Sequence, residues 1–199
     1  MPIQRIILVF ATNNQNKVKE IRSILAEPFE IITLTEAGID IDIPEPHDSL
    51  EANASEKSGT IHQLTAKNCF SEDTGLEVDA LNGEPGVKSA RYAGEGRDFQ
   101  DNINKLLANL SNQSNRRARF RTVVSLIWEE KEYLFEGICE GQITLDQKGL
   151  QGFGYDPIFI PDGASVTFAE MTMEEKNKFS HRKKAIAKLV NFLQTKLHE

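Results

Sequence analysis

The chain of 199 residues has few cysteines, no long apolar run and no excess of basic residues. Its two cysteines, Cys69 and Cys139, lie in apolar surroundings typical of strands, so we expect free thiols in a reducing compartment rather than disulfides. No apolar run approaches the ~20 residues that a membrane helix needs. Residues 1–5 lead into a short apolar run without a signal-peptide pattern. We therefore expect a cytoplasmic protein that does not enter a membrane.

The formal net charge of −7 argues against binding to a nucleic-acid backbone, which requires a basic face. It is compatible with a small anionic ligand, because a local group of Lys, Arg and backbone N–H donors can hold phosphate inside an acidic protein. Hydrophobic residues at 39% and charged residues at 27% are typical of a globular protein. The length fits one domain spanning residues 1–199.

The order of apolar patterns predicts an α/β fold with a mixed central β-sheet and flanking helices. Strands are predicted at residues 6–10, 29–34, 76–81, 120–128 and 133–143, the last two as a long antiparallel hairpin. Helices are predicted at about residues 15–26 and 50–66, at 99–110 with Asp98 as its N-cap, and after Ser180 with an apolar face from Ala185 to Leu197. Thr172 and Glu175 have capping-box spacing, which predicts a short helix there. Residues 149–161 are expected to form a glycine-rich loop.

Glu72, Asp73 and Thr74 stand directly before Gly75, after the expected end of a strand. Adjacent carboxylates repel each other, and Asp and Gly are disfavoured in strands, so we expect a turn here. The turn is either purely structural or a concentration of negative charge that holds a divalent metal ion.

Residues 12–17 form a polar turn and the start of a helix. Free N–H groups at a helix start favour an anion, and Lys17 lies one turn into the helix, so this segment could cradle phosphate. Ordinary helix capping explains Thr12 and Asn14 equally well, and the glycines of a Walker loop are missing.

Glu45 lies between Pro44 and Pro46, which stiffen the backbone and could aim its carboxylate. With Asp73 it would supply the two carboxylates that Mg²⁺ typically takes from a protein, although an exposed acid in a loop is the other interpretation. Asn53 and Lys57 share a helix face that points either to a ligand or to solvent.

Two further segments have the chemistry of a nucleotide site. Residues 152–157 combine glycines with two aromatic residues, so a ring could stack on a base while Asp156 accepts from a ring N–H, or the segment is a structural turn. Residues 181–184 place His, Arg and two Lys at the start of a helix, where cations are unfavourable by up to about 1 kcal/mol. We expect an anion or an electron-rich ring near them, with a solvated basic patch as the alternative.

Taken in order, these segments resemble the inosine triphosphate pyrophosphatase family, the Ham1/RdgB-like nucleoside triphosphate pyrophosphatases. The matching segments are A-T-N-N-Q-N-K (11–17), E-P-H-D-S-L-E-A-N-A (45–54), S-E-D-T-G-L-E-V-D-A-L (71–81), G-E-P-G-V-K-S-A-R-Y-A-G (83–94), Q-G-F-G-Y-D-P-I-F (151–159) and E-E-K-N-K-F-S-H-R-K-K-A (174–185). Each motif alone is weak to moderate, but six in the family's order over nearly the whole chain are highly specific.

The resemblance implies Mg²⁺-dependent hydrolysis between the α- and β-phosphates of ITP, dITP and XTP. The products would be the monophosphate and pyrophosphate, and the role would be removal of deaminated purines from the nucleotide pool. It also implies two lobes around a nucleotide-binding cleft, and a homodimer. A 6-keto base would accept a hydrogen bond from a donor such as Arg182, whereas adenine would leave that donor unpaired.

The resemblance also assigns roles to individual residues. Glu45 and Asp73 would bind Mg²⁺, and Asp73 would also be the general base. The phosphate cradle would be Thr12, Asn13, Asn14, Gln15, Asn16 and Lys17, with Lys57 as a further phosphate contact. The rest of the nucleotide site would be Thr74, Phe153, Gly154, Tyr155, Asp156, Lys176, His181 and Arg182.

One departure and two other functions stay open. Glu72 stands where many family members have Asp, which puts its role in placing a water molecule in doubt. A Maf-like pyrophosphatase acting on pyrimidine or modified nucleotides would lack the His181–Arg182 pair. A nucleotide sensor without turnover would be expected to lack Asp73 or Lys17. All four residues are present.

Overall fold

The computed structural model describes residues 5–25 and 27–196. The predicted helix ends at Ala26 and Leu197 lie outside the described residues. The strands are β1 (Ile6–Phe10), β2 (Phe29–Thr33), β3 (Cys69–Val78), β4 (Pro85–Gly86), β5 (Arg117–Trp128), β6 (Lys131–Ile143) and β7 (Phe159–Pro161). The α-helices are α1 (Gln15–Arg22), α2 (Leu50–Thr65), α3 (Phe99–Asn109), α4 (Met173–Phe179) and α5 (His181–Lys196). Single 3₁₀ turns lie at Asp79–Leu81, Ser89–Arg91, Asp156–Ile158 and Phe168–Glu170.

These strands form one mixed sheet with the order β2-β1-β3-β5-β6-β7, and β4 pairs with β3. Strand β1 runs parallel to β2 in the register Ile6↔Phe29 and parallel to β3 in the register Phe10↔Phe70. The pairs β3–β4 and β6–β7 are antiparallel. The predicted α/β fold with a mixed sheet is confirmed.

The chain divides into two compact units. The first comprises Met1–Asp73, Thr122–Gly137 and Arg182–Glu199, and the second comprises Thr74–Arg121 and Ile138–His181. The organisation as one domain over residues 1–199 stays a prediction, as does the nucleotide-binding cleft.

The core of the first unit lies on both faces of β1. Because successive side chains of a strand point to opposite faces, Leu8 and Phe10 join one cluster and Val9 joins another. The first cluster receives apolar residues of α1 and α5, and the Phe10 ring stacks on Phe70 with ring centroids 4.5 Å apart. The second cluster includes Ile61 of α2. Burial on both sides therefore explains the apolar residues 8–10 of β1, whereas Ile7 at the start of the strand is 52% exposed.

The second unit has its own apolar core. Helix α3 contributes Ile103 and Leu106, which belong to one cluster with buried residues of β3, β5 and β7. The rings of Phe120 and Phe159 meet edge to face with centroids 4.7 Å apart.

Most local predictions are confirmed. The hairpin is formed by β5 and β6, and both residues of its two-residue connection, Glu129 and Glu130, have positive φ, as tight hairpin turns require. The capping box of Thr172 and Glu175 opens α4. The Asp98 side chain accepts from the Asp101 N–H at the start of α3. Within the described residues, no helix has the length and apolar character needed to cross a membrane.

Three local predictions are wrong. The strand predicted at residues 76–81 is the end of the longer strand β3, which stops at Val78, and Asp79–Leu81 form a 3₁₀ turn. Residues 72–75 form no turn, because β3 runs without interruption from Cys69 to Val78. The predicted glycine-rich loop at 149–161 ends in strand β7. Gly75 fits inside β3 because a Cβ at this position would lie 2.6 Å from the carbonyl oxygen of Gly86 on the paired strand β4. The glycine is therefore needed for the close approach of two strands and not for a turn.

Candidate functional site

The predicted phosphate cradle forms the start of α1 in the first unit. The Asn14 side chain accepts from the backbone N–H groups of Asn16 and Lys17, at 3.0 and 3.2 Å, and Thr12 Oγ1 accepts from the Asn14 N–H at 3.1 Å. Asn13 donates through its side-chain amide to the Ile41 carbonyl at 3.0 Å. The capping interpretation is therefore confirmed for Asn14, whereas Thr12 bonds to the turn ahead of the helix. The phosphate cradle, with exposed Gln15 and half-buried Asn16, stays a prediction.

Glu72 and Asp73 have different partners, because adjacent residues of β3 point to opposite faces of the sheet. Glu72 accepts from Arg182 Nε and Nη2 at 2.6 and 2.9 Å, and its Oε1 lies 3.1 Å from Lys17 Nζ. Asp73 instead accepts from residues of α2. The two carboxylates therefore do not concentrate their charge at one point, contrary to the expectation from their adjacency in the sequence.

Arg182 of α5 is the centre of a buried ion cluster. Its guanidinium contacts Glu72 and also Glu20 of α1, and all three residues are almost completely buried. Burial alone would raise the pKa of Glu72, but Arg182 and Lys17 outweigh burial and hold that pKa well below its usual value. Burial alone would lower the pKa of Arg182, but Glu72 and Glu20 raise it. Glu72 and Arg182 therefore stabilise each other's charged form.

A second charged cluster surrounds Asp73. Lys57 Nζ lies 2.5 Å from Glu45 Oε1 and 3.4 Å from Asp73 Oδ1, and Asn53 Nδ2 lies 3.3 Å from Asp73 Oδ2. Asn53 also exchanges two hydrogen bonds with the backbone of His47, which ties α2 to the loop that carries Glu45. The shared face of Asn53 and Lys57 points inward to Asp73, so the solvent interpretation of that face is wrong.

Glu45 and Asp73 have the chemistry of a magnesium site. Both place a carboxylate oxygen on one ammonium group, so their negative charge converges at a single cation. Mg²⁺ typically takes one or two protein carboxylates and completes its octahedron with phosphate oxygens and water, and this donor set fits. In the described part of the chain, no cluster of three or more His, Cys, Asp or Glu is arranged for a metal. Burial raises the pKa of Asp73, against the opposing effect of Lys57 and Lys17.

In the second unit, the glycine-rich segment closes around Asp156. Its carboxylate accepts from the Phe153 N–H at 2.9 Å and pairs with Lys176 Nζ of α4 at 2.7 Å. The Lys176 ammonium also lies 5.3 Å from the ring centroid of Phe153. Gly152 has φ +77°, and a Cβ there would clash with the Asp156 carboxylate, so any other residue would be strained and would displace that carboxylate. Phe153, Asp156 and Lys176 are thus brought together.

The other predicted residues of the second unit differ in exposure. Tyr155 is buried and donates its hydroxyl to the Ser89 carbonyl at 2.9 Å, and burial raises its pKa. The His181 ring is buried and stacks on Phe120 with centroids 4.7 Å apart. Thr74, Phe153 and Gly154 are half-buried, and Gly154 has φ +60°. Phe153 is therefore a more accessible ring for stacking than Tyr155.

The sequence interpretation missed Glu20 and Ser89. The burial of Glu20 could have been inferred from the sequence, because this acidic residue lies beside Val18 and Ile21, the buried apolar residues of α1. The Ser89 hydroxyl accepts from the Leu76 N–H at 2.8 Å and donates to the Gly86 carbonyl at 2.6 Å, joining β3 to β4. A small polar residue in a loop carries no local signal for such a role.

A family model matches nearly the whole chain. The family model described as "Ham1 family" matches residues 8–192. The chain belongs to the Ham1 family. Ham1-family relatives include a "dITP/XTP pyrophosphatase" of Flavobacterium johnsoniae, 51% identical over 186 residues, which are 94% of this chain and 97% of the relative. The protein of the same name from Porphyromonas gingivalis is 50% identical over 187 residues, 94% of this chain and 96% of the relative.

Solved Ham1-family structures share the fold. The Staphylococcus aureus Ham1 protein superposes with a TM-score of 0.87 at 39% identity, and the match covers 96% of this chain and 100% of that one. A structure described as "Nucleoside-triphosphatase / dITP/XTP pyrophosphatase" from Mycobacterium abscessus superposes with a TM-score of 0.76 at 39% identity, covering 92% of this chain and 98% of that one. The resemblance seen in the motifs is therefore confirmed over nearly the whole chain.

Proposed function

We propose that this chain hydrolyses the deaminated purine nucleoside triphosphates ITP, dITP and XTP to the monophosphate and pyrophosphate, and so cleanses the nucleotide pool. Membership in the Ham1 family, with relatives named dITP/XTP pyrophosphatase at about half identity, supports the reaction. The observation that carries it to a site is the convergence of the Glu45 and Asp73 carboxylates on one cation, next to the lysine-bearing start of α1.

The residues of the first unit would act on the phosphates. Glu45 and Asp73 would hold Mg²⁺, which supplies charge neutralisation at the phosphate oxygens when bound. Lys17 and Lys57 would contact phosphate oxygens, and Asp73 would accept a proton from the attacking water. The water oxygen bonds to a phosphorus atom of the α–β anhydride, the anhydride bond breaks, and the products are the monophosphate and pyrophosphate. Positioning and charge account for such a step without covalent help from the protein.

The residues around Asp156 would act on the nucleoside. Phe153 is half-buried and could stack on the purine, while Lys176 fixes the carboxylate of Asp156 for a base N–H. A donor such as Arg182 or a backbone N–H would meet the 6-keto oxygen of hypoxanthine or xanthine. Adenine would leave that donor unpaired, which costs about 1–3 kcal/mol per group.

A pyrophosphate-release assay tests this function directly. We expect release that requires Mg²⁺ with ITP, dITP and XTP, and much slower release with ATP, GTP, CTP and UTP. Equal rates on all substrates, or orthophosphate as the first product, would contradict the proposal. Binding without turnover would instead favour a nucleotide sensor, and a preference for pyrimidine triphosphates would favour a Maf-like enzyme.

Asp73→Asn is the sharpest variant for the chemical step. Asn keeps the size of the side chain, and its single oxygen can still accept from either Lys57 or Asn53, so we expect a folded protein. It removes a charge that binds the metal and accepts the proton, so kcat should fall about 10²–10⁴-fold. Asp79→Asn, a substitution of the same kind outside the proposed site, serves as the control, and its kcat should be close to that of the wild type. Near-normal turnover of Asp73→Asn would remove Asp73 from both roles.

We further propose a homodimer in the cytoplasm, with no nucleic-acid or membrane partner. Leu134 of β6 is 48% exposed and would be covered at a dimer interface. The two cysteines are free and buried, and burial raises the pKa of Cys69 to about 12, which suits an inert thiol in a reducing compartment. Light scattering during size exclusion tests the dimer, and a monomer at micromolar concentration would contradict it.

A further inference from the structure

We infer that Lys57 is an internal counter-cation for the metal ligands, and that a divalent ion must displace it in order to bind. This inference rests on the proposed magnesium site at Glu45 and Asp73. It gives Lys57 a role before substrate arrives, in addition to its proposed contact with phosphate.

The position of Lys57 supports this role. Its ammonium contacts a carboxylate oxygen of each proposed metal ligand, at 2.5 Å for Glu45 and 3.4 Å for Asp73. Lys57 and Asp73 are 7% and 6% exposed, so water screens their contact poorly, whereas the side chain of Glu45 is 23% exposed and is screened in part. Two carboxylates in such surroundings repel each other unless a cation lies between them. Lys57 supplies that cation within the chain.

A divalent ion would compete with Lys57 for the same place. Mg²⁺ approaches carboxylate oxygens to about 2.0–2.1 Å and repels a neighbouring ammonium group strongly at low dielectric. The four-carbon stem of lysine is flexible, so the ammonium can move away without a change in the backbone of α2. Asp73 keeps its orientation after this movement, because Asn53 donates to Oδ2 while Lys57 contacts Oδ1.

The exchange would couple metal binding to substrate binding. A displaced ammonium needs a new anion, and a triphosphate in the proposed site would provide one. Metal binding alone would then be weakened by the lost Lys57 contacts, and metal binding with a triphosphate present would not. Such mutual reinforcement is a coupling free energy between two ligands.

Calorimetric titration of the full chain with Mn²⁺ alone tests the exchange. Lys57→Met should bind Mn²⁺ more tightly than the wild type by about tenfold or more, because no ammonium has to leave. Lys17→Met is the matched control. It also removes one ammonium, but that group pairs with Glu72, 3.1 Å away, and its electrostatic effect on Asp73 is smaller than that of Lys57. Its effect should be several-fold smaller.

The outcomes separate this inference from the proposed function. Unchanged or weaker Mn²⁺ binding in Lys57→Met would show that ion and lysine coexist, and equal tightening in both variants would reduce the effect to overall charge. Either result overturns the inference, whereas the proposed function is judged separately, by which triphosphates release pyrophosphate and at what rates. The double variant Lys57→Met with Glu45→Gln should lose the tightening, and its persistence would place the metal elsewhere and overturn the inference.

A stability measurement keeps the test valid if Lys57→Met folds poorly. Lys57→Gln retains a hydrogen-bond donor without the charge and should also bind Mn²⁺ more tightly. Both variants should have a lower Tm than the wild type without metal and should gain more on addition of Mn²⁺, because ligands that bind the folded state stabilise it by mass action. Equal gains in Tm for variant and wild type would overturn the inference.

Discussion

Glu72→Gln is expected to destabilise the protein strongly through the buried cluster at Arg182. The substitution keeps the shape of the side chain and removes its charge. Arg182 would keep Glu20 as its carboxylate partner, but it would lose an anionic partner that accepts from both Nε and Nη2. Lys17 would lose the carboxylate that lies 3.1 Å from its ammonium.

The size of the loss follows from burial. The side chains of Arg182 and Glu72 are 2% and 0% exposed, so water cannot replace the lost interaction. Removing one partner of a buried ion pair typically costs about 3–5 kcal/mol. Because Arg182 would still pair with Glu20, we expect a loss at the lower end of this range, about 3 kcal/mol. With a urea slope of about 2 kcal/mol per M for a chain of this size, the midpoint should fall by about 1.5 M.

Urea unfolding followed by tryptophan fluorescence can measure this change. The chain has a single tryptophan, Trp128, which is buried in the core of the first unit together with residues of α5. Glu36→Gln is the matched control, because it breaks an Arg–Glu pair of the same unit whose shortest contact is 2.6 Å, between side chains that are 45% and 46% exposed. We expect a much smaller shift for this exposed pair.

The comparison of the two variants decides the argument. Equal midpoint shifts in Glu72→Gln and Glu36→Gln would show that burial does not set the strength of these pairs. A double-mutant cycle of Glu72→Gln with Arg182→Gln should give a coupling energy of about 2 kcal/mol. A coupling energy near zero would refute the direct interaction.

Three further predictions concern single side chains. Gly75→Ala should lower stability by about 2 kcal/mol, because its Cβ would meet a carbonyl oxygen of β4 at 2.6 Å. Gly59→Ala, inside α2, is the control. A Cβ at Gly59 would meet no atom within 4 Å beyond its own helix backbone and chain neighbours, so the free energy of unfolding should rise by about 1 kcal/mol. Equal effects of the two substitutions would contradict the steric argument. Tyr155→Phe should cost about 1 kcal/mol or more in urea unfolding by leaving the Ser89 carbonyl unsatisfied, and no loss would mean that the hydroxyl contributes nothing. The arginine partner of Glu36 and a backbone N–H hold its pKa at about 2, so its contribution to stability is present above the unfolded pKa of about 4.3 and is lost as the pH falls towards 2. The difference in unfolding midpoint between wild type and Glu36→Gln should therefore shrink from pH 6 to pH 2, and a constant difference would contradict this.

Features set by neighbouring residues could be predicted from the sequence. The apolar run of β1, the cap of α3 at Asp98 and the capping box of Thr172 and Glu175 depend on short-range patterns, and the structure contains all three. The hairpin of β5 and β6 is also local, although each strand begins two or three residues earlier than predicted. Element ends are less certain because capping and fraying decide them.

The strand β3 could not be predicted, because distant residues stabilise it. Glu72, Asp73 and Gly75 all have low strand propensity, and the sequence favours a turn at this place. The structure offsets the charges with Arg182 and Lys57, which are far away in the chain, and uses Gly75 for contact with β4. Propensity is a weak guide wherever long-range ion pairs replace water as partners of a charge.

The candidate site was predictable in its residues but not in its contacts. The motifs mark Glu45, Lys57 and Asp73 individually, and the expected face of α2 brings Lys57 to one side of the helix. The sequence alone does not show that one ammonium contacts both carboxylates, because this contact depends on the three-dimensional positions of the loop that carries Glu45 and of strand β3. This contact is the observation on which the metal-exchange experiment depends.

The start of α5 shows how far an electrostatic irregularity can be interpreted. Cations at a helix N-terminus are unfavourable, and the sequence therefore predicts an anion or an electron-rich ring nearby. The structure contains both, since Arg182 contacts Glu72 and Glu20, and the His181 ring stacks on Phe120. These partners belong to the protein, so the irregularity is explained without any ligand. The proposed reading of a 6-keto base by Arg182 must therefore be judged on substrate discrimination alone and cannot be inferred from the charge at this helix start.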